Sequence, residues 1–298
     1  MTVMTKLYIF TALSTILAFL YRRSAKDRRM QWIRIFLILV VVMIPMLLDP
    51  RPRTLVQGSL FLFFIGLERL FQRNKYQFTS DEHFRHATYA IMLRLFYLVV
   101  GYYWLDRLKD LAVPWGFEAQ HAPVWLQAIT IFFVIDFVRY FIHLFQHKSD
   151  IWWRFHKIHH SATEITALAA DRLHLIESAL IAIVIPTLIA YLLGIRADVF
   201  LYASQIPGVI IANAYAHANI NFPKTKSWWA YILNSPNAHS HHHTKKNDRK
   251  NYGSTLLVWD WIFGTMDIPK EPPSDFGIDE AEIAKMGILK QTLHPFGL

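Results

Sequence analysis

The sequence predicts an all-α fold, a multi-pass transmembrane helical bundle capped by helices on its cytosolic side, and three observations predict it. Hydrophobic residues make up 54% of the 298 and aromatics 15%, more apolar than an ordinary water-soluble chain. The apolar residues gather into stretches close to the roughly twenty that a helix needs to cross a hydrocarbon core of about 30 Å. Lys and Arg fall between those stretches and are divided unevenly among alternate connections.

The first apolar stretch, 7–21, is followed by its basic cluster (Arg22, Arg23, Lys26, Arg28, Arg29) and shows no A-x-A site, so it reads as a first membrane helix, not a cleaved signal. Further candidates follow at 32–48, with Pro45 as a kink, and at 54–71, 87–105 and 124–145. The last two, 175–194 and 198–216, are separated by three residues and read as a hairpin that enters and returns. With the first loop cytoplasmic, the connections on that side (22–31, 72–86, 146–174, 217–298) carry 21 Lys and Arg against 5 on the other. That bias sets the orientation and makes this an integral multi-pass membrane protein, not a nucleic-acid binder. Residues 1–120 then form N-terminal transmembrane helices and 121–267 a catalytic region. Residues 268–298 form a Pro-rich, acidic tail, a surface extension with a short helix at 280–290. The chain has no cysteine, which excludes disulfides, thiolate metal sites and iron–sulfur clusters.

Eleven of the fifteen histidines lie between His143 and His243, and eight form three boxes: HLFQH (His143, His147), HKIHH (His156, His159, His160) and HSHHH (His239, His242, His243). Spacings of three and four put the members of each box on one helical face, and all three boxes fall on the cytoplasmic side. Imidazole is the side chain best suited to first-row transition metals, and eight ligands exceed what one ion takes, so the cap holds a histidine-rich dinuclear metal site. The H-E-x-x-H of a zinc protease is absent. An all-nitrogen pair of sites suits two iron ions with O₂ as co-substrate, although copper or zinc also binds such ligands.

The stretch 136–265 resembles the fatty acid hydroxylase/sterol desaturase superfamily, membrane-bound histidine-box di-iron oxygenases. The residues that carry the resemblance are DFVRYFIHLFQH (136–147), RFHKIHHS (154–161), PNAHSHHHTKKNDRKNYG (236–253) and WDWIFGT (259–265). It implies a four-helix transmembrane core under a cytosolic helical region, two irons on the box histidines, and O₂-dependent hydroxylation or desaturation. It also implies a further ligand at His217, in HANINFP, where Asn221 replaces a second histidine the family often carries. His174, in DRLHLIE, matches a position the family commonly follows with proline, here Leu175; it is a candidate to support a metal ligand from behind, or an alternative ligand itself. NYG (Asn251, Tyr252, Gly253) also follows the family pattern and shapes the loop.

Metal-bound imidazoles need a carboxylate or carbonyl for their second N–H. Asp136, Glu164, Asp171, Glu177 and Asp260 are available; Asp136, two turns before His143, and Asp260 are the leading choices. His241 falls off the shared face, towards solvent or a substrate mouth, and His83, His86, His121 and His294 read as ordinary loop residues. Trp152–Trp153 and KTKSWWAYIL (224–233) read as interfacial anchors. The expected function is a membrane-embedded lipid hydroxylase acting on an apolar lipid chain or sterol-like substrate, its catalytic residues the eight box histidines. The alternatives are a desaturase with the same site and, from another class, a membrane metal-binding or transport protein. With no HPGG module and no Gly-rich dinucleotide motif, electrons come from a separate donor protein of cytochrome b5, ferredoxin or reductase type.

Overall fold

A computed structural model describes residues 52–76, 80–108, 121–195, 199, 214–221, 227–245 and 250–297. These are helical, with no strand among the described residues beyond isolated bridges at Gln72–Ile220, Leu233–Leu256 and Thr244–Phe276. The helices are α1 (Pro52–Leu70), α2 (Asp81–Leu108), α3 (Val124–Lys148), α4 (Asp150–His160), α5 (Leu175–Ala179), α6 (Ile185–Leu193), α7 (Pro236–His242), α8 (Val258–Ile262), α9 (Ala281–Lys285) and α10 (Ile288–Leu293). The expected spans at 7–21 and 32–48, and most of that at 198–216, lie outside the described residues.

Helix α3 is the spine. Pro123 starts it, its carbonyl accepting from Leu126 N and Gln127 N. It is the one helix among the described residues long and apolar enough to cross a membrane. Ile131, Ile135 and Tyr140 face inward, whereas Phe133, Phe137, Phe141 and Phe145, each four residues from the next, stand exposed as a single stripe. The inner face packs on α6 through Ile131, Ile135, Ala190 and Ile195. At its end Ser149 adopts an extended conformation and both closes α3 and opens α4. This one-residue hinge folds the second histidine box back on the first.

The expected segment at 175–194 is helical but not one regular helix. A π-helical stretch, Leu180–Val184, joins α5 to α6 just before Pro186, which has no N–H to donate to a regular turn. Gly194, at φ 62°, closes α6, with Ile195 N bonded to Ala190 O. Small residues let a 3₁₀ turn, Ala167–Asp171, lie close on α1 and α2: Ala87, Ala90, Ala167 and Leu168 share one apolar core with Phe64 and Ile65.

The C-terminal segment, expected to be a surface extension, is packed against the cap. Phe276, Ile283 and Gln291 are buried, Lys157 pairs with Glu280 at 2.8 Å, and Gly277 N bonds to His243 O. Its helix is broken in two at Met286–Gly287, where the chain turns extended. His83 and His86, expected in a loop, are buried on α2 beside Glu164 and Glu82.

Candidate metal centre

The sequence brings nine imidazoles into two adjoining groups. His143, His147, His156, His160 and His242 form one; His159, His217, His239 and His243 form the other. Within each, one ring nitrogen per residue lies within 4.8 Å of all the rest. These are the eight box histidines together with His217. The groups meet where His160 and His243 stack at 4.3 Å.

The division within the second and third boxes corrects the expectation of one shared face. Residues four apart stay together: His143 with His147, His156 with His160, His239 with His243. The member three along goes to the other group, His159 from α4 and His242 from α7. Positions i+3 and i+4 differ by about 100° around a helix, so an HxxHH box at a boundary serves both sides of it. The α4 and α7 boxes do so reciprocally.

Local structure fixes each box. Ser235 caps α7 by accepting from Ala238 N, and Pro236 occupies its first turn. Arg73, from the loop after α1, clamps the back of α7 through Pro236 O (3.0 Å) and Ser240 Oγ (2.7 Å). Asn221, the residue in place of a second histidine after His217, lies outside both groups; its Oδ1 accepts from Asn237 Nδ2 on α7 at 2.8 Å.

The outer nitrogens settle the tautomers. His143 Nδ1 lies 2.9 Å from Tyr252 O, and His242 Nδ1 lies 2.6 Å from Lys250 O. A carbonyl only accepts, so both Nδ1 atoms carry the proton and both Nε2 atoms are bare lone pairs. His156 Nδ1 donates to Glu177 Oε1 at 2.6 Å, with the same result. Inside, Nε2 atoms face one another: His156 and His160 at 3.2 Å, His159 and His217 at 3.1 Å, His217 and His239 at 2.9 Å, His239 and His243 at 3.2 Å. His147 Nε2 and His242 Nε2 are buried with no partner. Burial, with repulsion from neighbouring imidazoles, holds His159, His160, His239 and His243 well below the ordinary imidazole range and pushes His242 down to about 3. These five rings are therefore neutral at pH 7. Converging neutral lone pairs repel unless a cation lies among them, so these residues fit a pair of transition-metal ions.

Of the candidate carboxylates, Glu177 reaches a box histidine. It is fully buried on α5, and its Oε1 also accepts from Gln146 Nε2 at 2.8 Å. Asp136 shares the azimuth of His143 but lies about 10 Å along the helix axis. It accepts instead from Thr255 N, Leu256 N and Trp259 Nε1, at 2.8, 3.2 and 2.9 Å. Asp260 acts one step removed. It receives Tyr252 N and Gly253 N at 2.7 and 2.6 Å, holding the loop whose carbonyl fixes His143. Burial pushes its carboxyl up. His174 lies outside both groups: it caps α5, accepting from Ile176 N, and its Nε2 bonds to Thr292 O in the C-terminal segment. Glu164 bonds Ser80 and His83.

The NYG loop has a physical reason at each position. Asn251 takes φ 57°, a conformation asparagine tolerates, and its side chain bonds Ala238 O and both backbone groups of Asp267. Tyr252 supplies the carbonyl for His143. A Cβ on Gly253 would lie 2.3 Å from Leu256 O and 2.7 Å from Asp260 Oδ2, so only glycine fits. Lys250 and Tyr252 act through main-chain carbonyls, which a side-chain pattern does not disclose.

The fatty acid hydroxylase family model matches residues 128–265, which contain every one of the nine histidines. That stretch belongs to the fatty acid hydroxylase family. The chain is 31% identical over 177 residues to an ornithine lipid hydroxylase of Rhizobium tropici, covering 58% of this chain and 51% of that protein. It is 30% identical to a very-long-chain aldehyde decarbonylase of Oryza sativa subsp. indica, covering 54% of this chain and 27% of that one. It is 26% identical to the alkylglycerol monooxygenase of Homo sapiens, covering 57% and 35%. The chain thus spans about half or less of the length of these relatives. No solved structure gives a significant match. The fatty acid hydroxylase region runs from the first turns of α3 through α8 and so contains the elements that carry the boxes and the loop behind them.

Proposed function

We propose that this protein is a membrane-embedded lipid hydroxylase that uses O₂ at a di-iron centre held by the nine histidines. The observation that carries the reading is the convergence of imidazole nitrogens into groups of five and four inside a fatty acid hydroxylase region. His143, His147, His156, His160 and His242 would hold one ion, and His159, His217, His239 and His243 the other. Iron bound there supplies the activation of O₂ needed to oxidise an unactivated C–H bond. The chain's own residues orient the ligands. Tyr252 O and Lys250 O fix His143 and His242, Glu177 holds the Nδ1 proton of His156, and the buried surroundings exclude water from the inner nitrogens.

The substrate is proposed to be a polar lipid with a long acyl or alkyl chain. The relatives named as an ornithine lipid hydroxylase and an alkylglycerol monooxygenase favour oxygen insertion over desaturation. The bundle is multi-pass, with 1–120 contributing membrane helices, 121–267 the catalytic region and the boxes facing the cytoplasm. Electrons come from a separate donor protein.

Expression with a reductase and donor under isotopically heavy O₂, followed by lipid mass spectrometry, tests the reading. A lipid that gains one heavy oxygen, and does not in a His160→Ala variant, supports it. Loss of two hydrogens without oxygen would make the chain a desaturase.

A further inference from the structure

Helix α8 ends in a turn with three large, exposed apolar side chains. Trp261 is 69% exposed, Ile262 53% and Phe263 45%. Three large apolar residues in succession, this exposed, form a patch that water disfavours. The turn is nonetheless firmly held. Asp136 on α3 receives two loop N–H groups and the Trp259 indole N–H, and Asp260 receives Thr265 Oγ1 at 2.7 Å.

The turn lies alongside the exposed phenylalanine stripe of α3. The Phe263 ring is 5.1 Å from Phe141 and 6.4 Å from Phe137, and Trp259 is 4.9 Å from Phe137. The apolar surface is therefore continuous from the membrane-length helix onto α8. Its level along α3 is also set. At about 1.5 Å per residue, Phe141 and Phe137 lie about 10 and 16 Å from the Lys148 end of a helix about 37 Å long. A hydrocarbon layer of about 30 Å centred on that helix reaches past both.

We infer that the α8 turn, Trp261 to Phe263, is seated in the acyl-chain region of the leaflet on the histidine side of the membrane, not in water. Its partner is the bilayer hydrocarbon. Behind the turn an aromatic row leads to the metal ligands: Phe263 stacks on Tyr140 at 5.3 Å, Tyr140 lies 6.3 Å from Tyr252, and Tyr252 lies 5.7 Å from His143. The turn thus brings acyl chains of that leaflet beside the wall of the first histidine group. This inference rests on the membrane-embedded reading above and adds a second lipid-facing element to it.

The chain has no cysteine, so a single introduced cysteine carries a label at one site only. Trp261→Cys and Ile262→Cys, each bearing an environment-sensitive fluorophore, are reconstituted in phosphatidylcholine nanodiscs. Phe133→Cys on α3 and Glu271→Cys, exposed in the C-terminal segment, serve as references. Nitroxide placed midway along the lipid acyl chain and aqueous iodide are the two quenchers. The inference predicts that labels at 261 and 262 are quenched several-fold more by the acyl-chain nitroxide than by iodide, as at 133, with the reverse at 271. Iodide quenching at 261 and 262 with lipid quenching kept at 133 would overturn the α8 inference alone. Iodide quenching at 133 as well would overturn the membrane reading and this inference with it. Shielding of 261 and 262 from both quenchers would put protein on the turn and overturn the inference too.

Discussion

A neutral imidazole has one lone pair and one N–H, and what binds the N–H decides where the lone pair points. For His156 that partner is Glu177, an ionisable group buried without any exposure. Carboxylate partners of this kind are worth roughly 10–100-fold in metal affinity. Glu177→Gln should therefore weaken metal retention by about 10-fold, and Glu177→Ala by up to about 100-fold. Chelator competition followed by metal analysis checks this, and equal retention in both variants would remove Glu177 from the account. Gly253 makes a second residue-scale prediction. Its Cβ-free surface admits Leu256 O and Asp260, so Gly253→Ala should cost about 1–3 kcal/mol in stability and loosen the loop behind His143. Thermal unfolding reads the first effect and metal content the second.

Between elements, the joint of α2 with the 3₁₀ turn rests on a part-buried ion pair. Burial alone would raise the Glu82 carboxyl. His86, the Arg172 guanidinium and Thr163 N–H outweigh it and hold the group at about 2. A depressed carboxyl contributes stability that is fully present above its unfolded value, near 4.5, and is lost as pH falls towards 2. Unfolding midpoints should therefore fall between pH 4.5 and 2, and Glu82→Gln should flatten that slope while lowering stability at pH 7. A slope unchanged by the substitution would contradict this. The elements also mark how far the sequence could be read. HxxxH and HxxHH spacings announced three helical boxes, and nine histidines do meet. They did not disclose the sharing of the α4 and α7 boxes across two groups, because that depends on where those helix axes lie, which spacing within one helix does not encode. Asp136 was misread for a related reason: azimuth along α3 follows from residue number, but reach does not. The break of 175–194 by a π-helical stretch had one visible sign, Pro186.

At the scale of the molecule, the cap is a set of short helices tied by long-range hydrogen bonds, and the C-terminal segment is one of the ties. Composition marked it as Pro-rich and acidic, but Phe276 and Ile283, its buried anchors, are too few to make a pattern. Because Gly277 N bonds His243 O and Gln291 bonds Tyr89, removing residues 276–298 should lower iron retention in the second histidine group. Metal analysis of the truncated protein checks it; full iron content would make the segment dispensable. The central claim is that five and four histidines hold one ion each. Iron per chain, measured on protein purified in detergent under reducing conditions, tests it most directly when wild type is set beside His147→Ala and His239→Ala. The account predicts two irons in the wild type and about one in each variant. A single iron in the wild type, or two that persist in both variants, would contradict it.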